Sequence, residues 1–485
     1  MSISSAMANA MSGLTASGRT AELISNNIAN SLSENFGRRE LSLNSDVLGG
    51  YGSGVRIGKT TRAENVIATA SRRSMDSFAN YSNQKSDTLS RISAAMGPPG
   101  NSGSMATVFQ KFESSIVSLA NNPSSTTHLD TSVGRANDVT ATLNAQSQTV
   151  MQIRMDADAQ IARNVTKLND NLIEIDRLNT EMRKRFNSPL EVASLQDTQQ
   201  RLVDEIADMV PVKLAKRNFG EIAIFTPEGG VLLDGAPRLF GFTPTPTITQ
   251  AMTIGNGALS GLTQNGVPVP IGTGGFFEGG QLSALFETRD VIAPAHNSQL
   301  DALARDLIER FQNPAVDPTL LPGDAGLFTD TGMPFAVGNE TGLAGRISVN
   351  SSADPAQGGA SWRMRDGLNA IAQGDVGQNQ IIRNLETALM NSNAPGPNLG
   401  ISTAQSAAGF AADLTSQRFS DLSFSDEKLA YARSQQAVLK SAELAATGVD
   451  SDEQLQRLLE TEKAYAANAR VISVVDGLLE QLLRI

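Results

Sequence analysis

The 485-residue sequence lacks cysteine altogether, and it contains only two histidines and 5% aromatic residues. Without cysteine, neither a disulfide bond nor a thiolate metal site can form. His128 and His296 are far apart in the sequence, and we expect each to be a surface or helix-capping residue rather than a catalytic base. The shortage of aromatic side chains is unfavourable for one large globular core, but it suits long helices and extended interfaces.

Long hydrophobic runs are also missing. No apolar segment reaches the roughly 20 residues that a transmembrane helix needs, so we expect no membrane partner. The N-terminus has no basic segment before a continuous apolar core, and we expect any export to proceed without a cleaved signal peptide. The formal net charge of -11 disfavours nucleic acid as a partner, because phosphates repel an acidic surface.

Motifs that carry chemistry are absent as well. Neither an HExxH zinc motif nor a phosphate-binding P-loop occurs. Gly255-Asn256-Gly257 resembles part of a dinucleotide-binding loop, but no strand–helix context with a later acidic residue supports it, and we predict a β-turn. Asp156 and Asp158 lie in a helical pattern, which argues against a calcium loop. We therefore predict no catalytic residue, cofactor or metal ion, although a glycosidase-type carboxylate pair in the glycine-rich middle of the chain stays open.

Both ends of the chain have the apolar spacing of amphipathic helices. Near the N-terminus the spacing alternates between four and three residues, and near the C-terminus it repeats every seven, as in the seam of a coiled coil. Val471, Leu478 and Ile485 widen the C-terminal stripe. We predict that the seams form an assembly interface, whose residues are Ile3, Met7, Ala10, Leu14, Ser17, Ala21, Ile24, Ile28, Leu458, Tyr465, Ile472, Val475, Leu479 and Leu482.

A rough energy comparison suggests what these seams need. Five large apolar side chains of the N-terminal seam contribute about 1.5–3 kcal/mol each when buried, whereas ordering each backbone unit costs about 1–2 kcal/mol. One thin stripe cannot order almost thirty residues. We therefore predict that both ends are largely disordered in the free monomer and fold against neighbouring subunits. An intramolecular pair of terminal helices docked on the body is the alternative.

Between the ends, the pattern changes several times. Alternation from Arg38 to Arg62, around a Gly49–Gly54 turn cluster, predicts a β-hairpin. The segment from Arg135 to Phe186 has the most regular helical spacing, and Pro189 is expected to close it. Glycine and proline crowd the chain from Phe219 to Gly280, which predicts short strands. A helix returns near Ser361.

The last two helices have recognisable boundaries. The alanine-rich stretch Asp426–Thr447 is expected to end at Gly448 in a left-handed C-terminal cap. Asp450, with Glu453 three residues later, predicts an N-cap for the terminal helix.

These segments predict an α+β fold with a nested multidomain order. Terminal coiled-coil helices and a short hairpin would form one domain from residues 1–62 and 449–485. Residues 63–218 and 361–448 would form a bundle of long helices. Residues 219–360 would form a β-rich outer insertion with one helix. Nesting places both ends together and the middle of the sequence farthest from them.

Three motifs near the ends connect the chain with a known family. Ser12-Gly13-Leu14-Thr15-Ala16, the run Ser25–Asn30 and the run Ala464–Arg470 resemble the terminal signatures of the bacterial flagellar axial proteins, which are the rod, hook and hook-associated proteins. Four internal stretches favour the hook-associated proteins of the hook–filament junction: Gly52–Arg62, Val165–Asn179, Gln199–Ile206 and Gly279–Phe311.

The chain departs from the family pattern after Asn30. Asn35 stands where the family has glycine, and asparagine tolerates the same positive φ, so we expect the turn to be kept.

The resemblance implies a structural role. Such proteins leave the cell through the flagellar type III export channel and polymerise at the distal end of the hook, with terminal helices innermost and the β domain outermost. The implied partners are further copies of the chain, the hook protein, the second junction protein (hook-associated protein 3) and a cytoplasmic export chaperone. The implied location is extracellular, at the hook–filament junction. The resemblance also adds four signature residues to the assembly interface: Asn26, Asn27, Asn30 and Asn468.

Three rival interpretations remain at this stage. Another axial protein, such as a hook protein, a rod protein or hook-associated protein 3, would share the terminal signatures. A secreted enzyme borne on the flagellum would carry its active site in the insertion. A generic cytoplasmic coiled-coil scaffold would explain the helical content alone.

Overall fold

A computed structural model describes residues 3–33, 36–48, 51–185 and 189–483. The expected turn at Asn35, and Ile485 in the widened stripe, lie outside the described residues. Leu482 lies in a helix, but its side chain is outside the described part. Within these ranges, no helix combines the length and the apolar character needed to cross a membrane.

Helices dominate the chain, and the longest has 59 residues. The helices are α1 (Ile3–Ala29), α2 (Val66–Met96), α3 (Met105–Asn121), α4 (Thr126–Lys184), α5 (Pro189–Met209), α6 (Gly280–Glu287), α7 (Ala293–Phe311), α8 (Arg363–Asp366), α9 (Gln380–Met390), α10 (Ala407–Thr447) and α11 (Ser451–Leu483).

The strands form small antiparallel sheets. The predicted hairpin is present, with Arg39 opposite Arg62, and its second strand begins at Tyr51, so Gly52 and Gly54 belong to the strand rather than to the turn. The α+β class is confirmed. The strands are β1 (Arg39–Leu48), β2 (Tyr51–Arg62), β3 (Lys213–Lys216), β4 (Ile222–Phe225), β5 (Val231–Leu233), β6 (Phe240–Gly241), β7 (Thr263–Gln264), β8 (Val267–Pro268), β9 (Phe328–Asp330) and β10 (Ile347–Val349).

Two hydrophobic cores lie one after the other along α4. The first half of α4, through Ile153, packs in a cluster with α3, α7, α9 and the start of α10. The second half, from Ala157 to Leu178, packs with α5, α6 and the sheet β3–β5. Residues of the 219–360 insertion contribute to both clusters, so the insertion is packed along α4. The division into three domains stays a prediction.

A buried ion pair fixes the insertion to the middle of α4. The guanidinium of Arg289 donates to Asp158 at 2.6 Å, and both side chains are fully shielded from solvent. Arg154, one turn earlier on α4, donates to the backbone carbonyls of Thr249 and Met252. Asp156, two residues before Asp158, pairs with Arg91 nearer the surface. The two aspartates of this helical stretch therefore differ in burial.

The structure corrects the expectation for His296. Helices α6 and α7 are joined by a π-helical turn, Thr288–Ile292, so the residue lies inside one continuous helical stretch rather than at a helix start. Its side chain is 1% exposed, and the prediction of a surface residue is wrong. Burial, with the nearby positive charge of Arg418, lowers the pKa of His296 to about 3. His128 is half-buried in the first turn of α4.

Helix ends provide two further corrections. Pro189 was expected to close α4, but it is the first residue of α5. Proline is tolerated there because the first helical turn does not need its N–H. Gly448 follows α10 with φ of -75°, so it is not a left-handed cap. A Cβ there would lie 2.5 Å from the carbonyl oxygen of Leu444, and close backbone approach is what requires glycine. The N-cap at Asp450 is confirmed, since its Oδ1 accepts the N–H groups of Asp452 and Glu453.

Candidate assembly interface

The two terminal helices pack along each other within one chain. This is the arrangement of the intramolecular alternative. Ala10 and Ile24 of α1 and Val475 of α11 are the predicted seam residues with the least exposure, at 3%, 3% and 5%. Part of each seam is therefore buried inside the subunit, whereas Tyr465 and Leu479 stay exposed. Disorder of both ends in the free monomer stays a prediction, and fast amide exchange in both helices of the wild-type monomer would support it over this paired arrangement.

Two signature motifs meet where the helices cross. A Cβ atom on Gly13 of α1 would lie 2.8 Å from Nδ2 of Asn468 on α11, which is closer than atoms approach without displacement. The amide of Asn468 also donates to the carbonyl of Ala464 one turn earlier. Glycine at position 13 thus leaves the space that this side chain occupies.

The next residue along α1 anchors the hairpin. The Ser12 hydroxyl accepts the Val55 N–H at 3.1 Å and donates to the carbonyl of Asn9 at 2.9 Å. Gly54 precedes this contact with φ of 99°, and a Cβ there would overlap the Ser12 hydroxyl. The close approach and the positive φ both require glycine.

Asn27 joins three elements. Its Oδ1 accepts the backbone N–H of Arg39 at 2.8 Å, and its Nδ2 donates to the Arg39 carbonyl at 3.0 Å, so the amide binds β1 as a neighbouring strand would. The same Nδ2 donates to Oε1 of Gln454 on α11 at 3.1 Å. Asn27 is fully buried. This signature residue therefore links α1 to the hairpin and to α11.

Ion pairs and a backbone bond attach this assembly to the body. Asp197 of α5 binds the guanidinium groups of both Arg39 and Arg62, which stand opposite each other in the hairpin. The Arg38 N–H donates to the carbonyl of Thr447 at the end of α10.

A second charged cluster lies beside these contacts, between α2, α5 and α10. Arg72 of α2 bonds Asp76, Asp204 and Glu443. Burial opposes its charge, but Asp204 and then Glu443 outweigh that cost and raise the pKa of Arg72 above its ordinary value. The guanidinium of Arg72 therefore joins carboxylates of α2, α5 and α10.

The outer side of α11 carries a second apolar stripe. Its side chains are between 44% and 62% exposed, although they are large and aliphatic. They recur at three- and four-residue steps along both halves of the helix, as helical packing surfaces do. We call these residues the outward stripe: Leu455, Leu459, Val471, Val474 and Leu478.

The predicted interface residues fall into three groups. Four are buried in the pair: Ala10, Ile24, Asn27 and Val475. Ten are half-buried: Ile3, Met7, Leu14, Ser17, Ala21, Ile28, Asn30, Leu458, Asn468 and Ile472. Three are exposed: Asn26, Tyr465 and Leu479.

Sequence reasoning missed most of the outward stripe. Leu455 and Leu459 are separated by four residues, and Val471, Val474 and Leu478 by three and four, so the signal was present. The seven-residue repeat marks one seam, and Val471 and Leu478 widen it. For the partner pairs Asn27–Arg39 and Asn27–Gln454, no local pattern exists.

The enzyme hypothesis requires a convergent polar pocket in the insertion. A cleft of about 620 Å³ lies between α4 and the insertion, and its lining includes Met151, Met155, Gln250 and Arg346. None of its lining residues is a carboxylate or a histidine. Across the described ranges, no group of three or more His, Asp or Glu side chains is placed to hold a metal ion.

Two models of flagellar protein families match parts of the chain. Residues 89–326 match the family model "Flagellar hook-associated protein FlgK helical domain", and residues 440–485 match "Flagellar basal body rod FlgEFG protein C-terminal". The chain is similar to flagellar hook-associated protein 1 of Bacillus subtilis (strain 168), with 22% identity over 499 residues that cover 94% of this chain and 93% of that protein.

One solved structure is also similar. It is that of the flagellar hook junction protein FlgK from Burkholderia pseudomallei, with 18% identity and a TM-score of 0.43. The alignment covers 55% of this chain and 46% of that one, which is less than half of its length.

Proposed function

Since this chain belongs to the family of flagellar hook-associated protein FlgK and is a structural subunit of the hook–filament junction, we propose that it polymerises through the outward stripe of its paired terminal helices. The single observation that carries the proposal is the exposure of that stripe. Large aliphatic side chains that stay in water are unfavourable in free energy, and a neighbouring subunit can cover them.

The pairing of α1 with α11 determines which residues are available between subunits. Val475 is 5% exposed and Val474 is 62% exposed, although the two valines are adjacent. The inner valine stabilises the pair, and the outer one is free to contact a neighbour. The predicted seam residues then support assembly indirectly, by shaping the helix pair that neighbours bind.

The finer details of the role are part of the proposal. The terminal pair would line the innermost tube at the distal end of the hook. Neighbours would be further copies, the hook protein and hook-associated protein 3. Before assembly, the outward stripe would need cover, which an export chaperone can supply. Passage through the type III channel would require no cleaved signal peptide and would deliver the protein outside the cell.

Rival functions have weaker support. The match of residues 89–326 to the FlgK helical domain favours the junction over a hook or rod protein. The cleft beside the insertion offers no acid–base pair, and we propose that the protein has no enzymatic activity. A cytoplasmic scaffold would not account for the C-terminal match to flagellar rod proteins.

Two adjacent substitutions test the proposal. Val474→Asp places a charge on the outward stripe, and we expect it to abolish incorporation into flagella while the thermal transition of the monomer is unchanged. Val475→Asp places the same charge inside the α1–α11 pair, and we expect it to increase amide exchange in both helices. Immunoelectron microscopy of flagella and exchange measurements on purified monomer report the two effects.

Glu480→Asp, a conservative change at an exposed position of the same helix, controls for substitution in α11. Normal junctions with Val474→Asp would contradict the proposed interface. Cells that lack the gene but still attach filaments to hooks would contradict the junction role itself.

A further inference from the structure

Helix α10 carries a line of exposed apolar side chains, and the ammonium of Lys428 lies 4.2 Å from the ring centroid of one of them, Phe424. Phe424, Tyr431 and Val438 are 58%, 60% and 60% exposed and lie seven residues apart. Seven residues are about two helical turns, so the three side chains follow one line along the helix, spaced by about 10 Å. The buried residues Ser425 and Ala432, about 100° around the helix from this line, mark the side of α10 that packs on α2. We call the three exposed residues the α10 stripe.

Helix α4 has a matching line of smaller side chains. Ala159, Thr166 and Ile173 are also seven residues apart, and all three are exposed, with Ile173 at 49%. We call them the α4 stripe. Large side chains on one helix and smaller ones on the other have the complementary shape that helix packing uses, in which ridges enter grooves.

Both stripes lie at the same level of the molecule, because both helices are bonded to α2. On the α10 side, Asp426 accepts from Ser86 at 2.5 Å and Arg433 donates to Asn83 at 2.7 Å. On the α4 side, Asp156 accepts from Arg91 at 2.5 Å. The stripes therefore begin beside the same part of α2 and run along their own helices.

We propose that the α10 stripe of one subunit packs along the α4 stripe of the next copy. Two different surfaces on one subunit make a heterologous contact, which repeats from copy to copy and generates rings or helical polymers. This inference rests on the proposed function, since it adds a second contact between copies to the one formed by the terminal helices. Chain continuity supports a second copy as the occupant, because α10 leads into α11 through three residues, 448–450.

The size of the stripe explains why it would act only in the polymer. Three side chains that are about 60% exposed present roughly 300 Å² of surface, whereas a stable interface buries about 800 Å² per partner. The α10 stripe alone cannot hold a dimer in solution. Once the terminal helices hold two copies side by side, the second contact forms inside an existing complex. Its full contact energy then adds to the stability of the polymer.

The absence of cysteine allows a direct test. Tyr431→Cys introduces one thiol on the stripe, and Ala430→Cys introduces one at an exposed neighbouring position about 100° around the helix. We expect the thiol at position 431 to react with a bulky maleimide in purified monomer and to lose that reactivity in isolated flagella. The thiol at position 430 should react in both.

Cross-linking then identifies the occupant. A chain that carries both Tyr431→Cys and Thr166→Cys should give a ladder of dimers and larger multiples with a short bis-maleimide in flagella, and each single variant should give none. A product of another mass would show that a different flagellar protein covers the stripe and would overturn the inference. Equal labelling at 430 and 431 in flagella would overturn it too, while leaving the proposed function intact. Failure of the proposed function is distinguishable, because the protein would then be missing from flagella altogether.

Discussion

Gly13 on α1 and Asn468 on α11 occupy complementary space, since a Cβ atom on the glycine would lie 2.8 Å from the asparagine amide nitrogen. Both residues belong to the terminal signature motifs. The signatures therefore describe, at least at this crossing, how one end of a subunit fits the other end of the same subunit.

The first prediction concerns this crossing. Gly18 on the same helix has open space around its Cβ position, so Gly18→Ala should stabilise α1 by about 1 kcal/mol through helix propensity alone. Gly13→Ala should not stabilise α1 in this way, because its methyl group must displace the side chain of Asn468. Amide exchange along α1 measures the difference. Equal protection in the two variants would show that the helices do not cross as described.

The second prediction concerns the buried amide of Asn27. Asn27→Ala leaves the Arg39 backbone N–H and carbonyl without partners, and we expect a loss of about 1–3 kcal/mol in the stability of the terminal assembly. Asn26→Ala removes the same side chain one residue earlier, at an exposed position, and should have almost no effect. Exchange rates of the hairpin amides report the change. An unaffected hairpin in the Asn27 variant would contradict this anchoring role.

The third prediction compares two aspartates of α4. Asp158→Ala removes one of the two carboxylates that bind the fully buried guanidinium of Arg289, the other being that of Asp290, and we expect a loss of about 1.5–3 kcal/mol. Asp156→Ala removes a partly exposed pair with Arg91 and should cost less than about 1 kcal/mol. Urea unfolding of both variants gives the comparison. Similar midpoints would mean that the insertion is not held by the buried pair.

The fourth prediction concerns acid sensitivity. The pKa of His296 falls to about 3 in the folded chain because its imidazole is buried, whereas an unfolded histidine has a pKa near 6.5. Between these values the unfolded chain binds the extra proton, so this group makes stability fall as pH falls, by up to about 1.4 kcal/mol per pH unit. His296→Gln should flatten the decrease in urea midpoint below pH 6.5, and His128→Gln serves as the matched control. An unchanged slope would contradict the assignment.

The fifth prediction has the opposite sign. Burial raises the pKa of Asp301 to about 6, even though the N–H groups of Gly342 and Ala344 bond its carboxylate at 2.8 Å. The folded chain then holds the proton between pH 4 and 6, so this group makes stability fall as pH rises through that range. Asp301→Asn should remove this part of the pH dependence, as measured by unfolding at pH 4.5 and pH 7. A variant with the full wild-type difference would show that Asp301 does not titrate there.

The sequence by itself determined the local features of this protein. Apolar spacing identified the two terminal helices, alternation identified the hairpin, and Asp450 identified the start of α11, because each depends on residues within a few positions of one another. The terminal signatures also pointed to the flagellar axial proteins. The seam residues of α1 and α11 were found for the same reason.

Tertiary structure decided which surface meets which. Periodicity marks an apolar face but cannot say what covers it. Within one subunit Ile24 and Val475 of the seams are buried, whereas Leu479 is exposed. Asn27 bonds Gln454 across 427 positions of sequence, and Arg289 bonds Asp158 across 131. His296 is 1% exposed inside a helical stretch that continues through a π-helical turn, and the sequence pattern did not predict its burial. Such contacts depend on the path of the whole chain, which no local pattern contains.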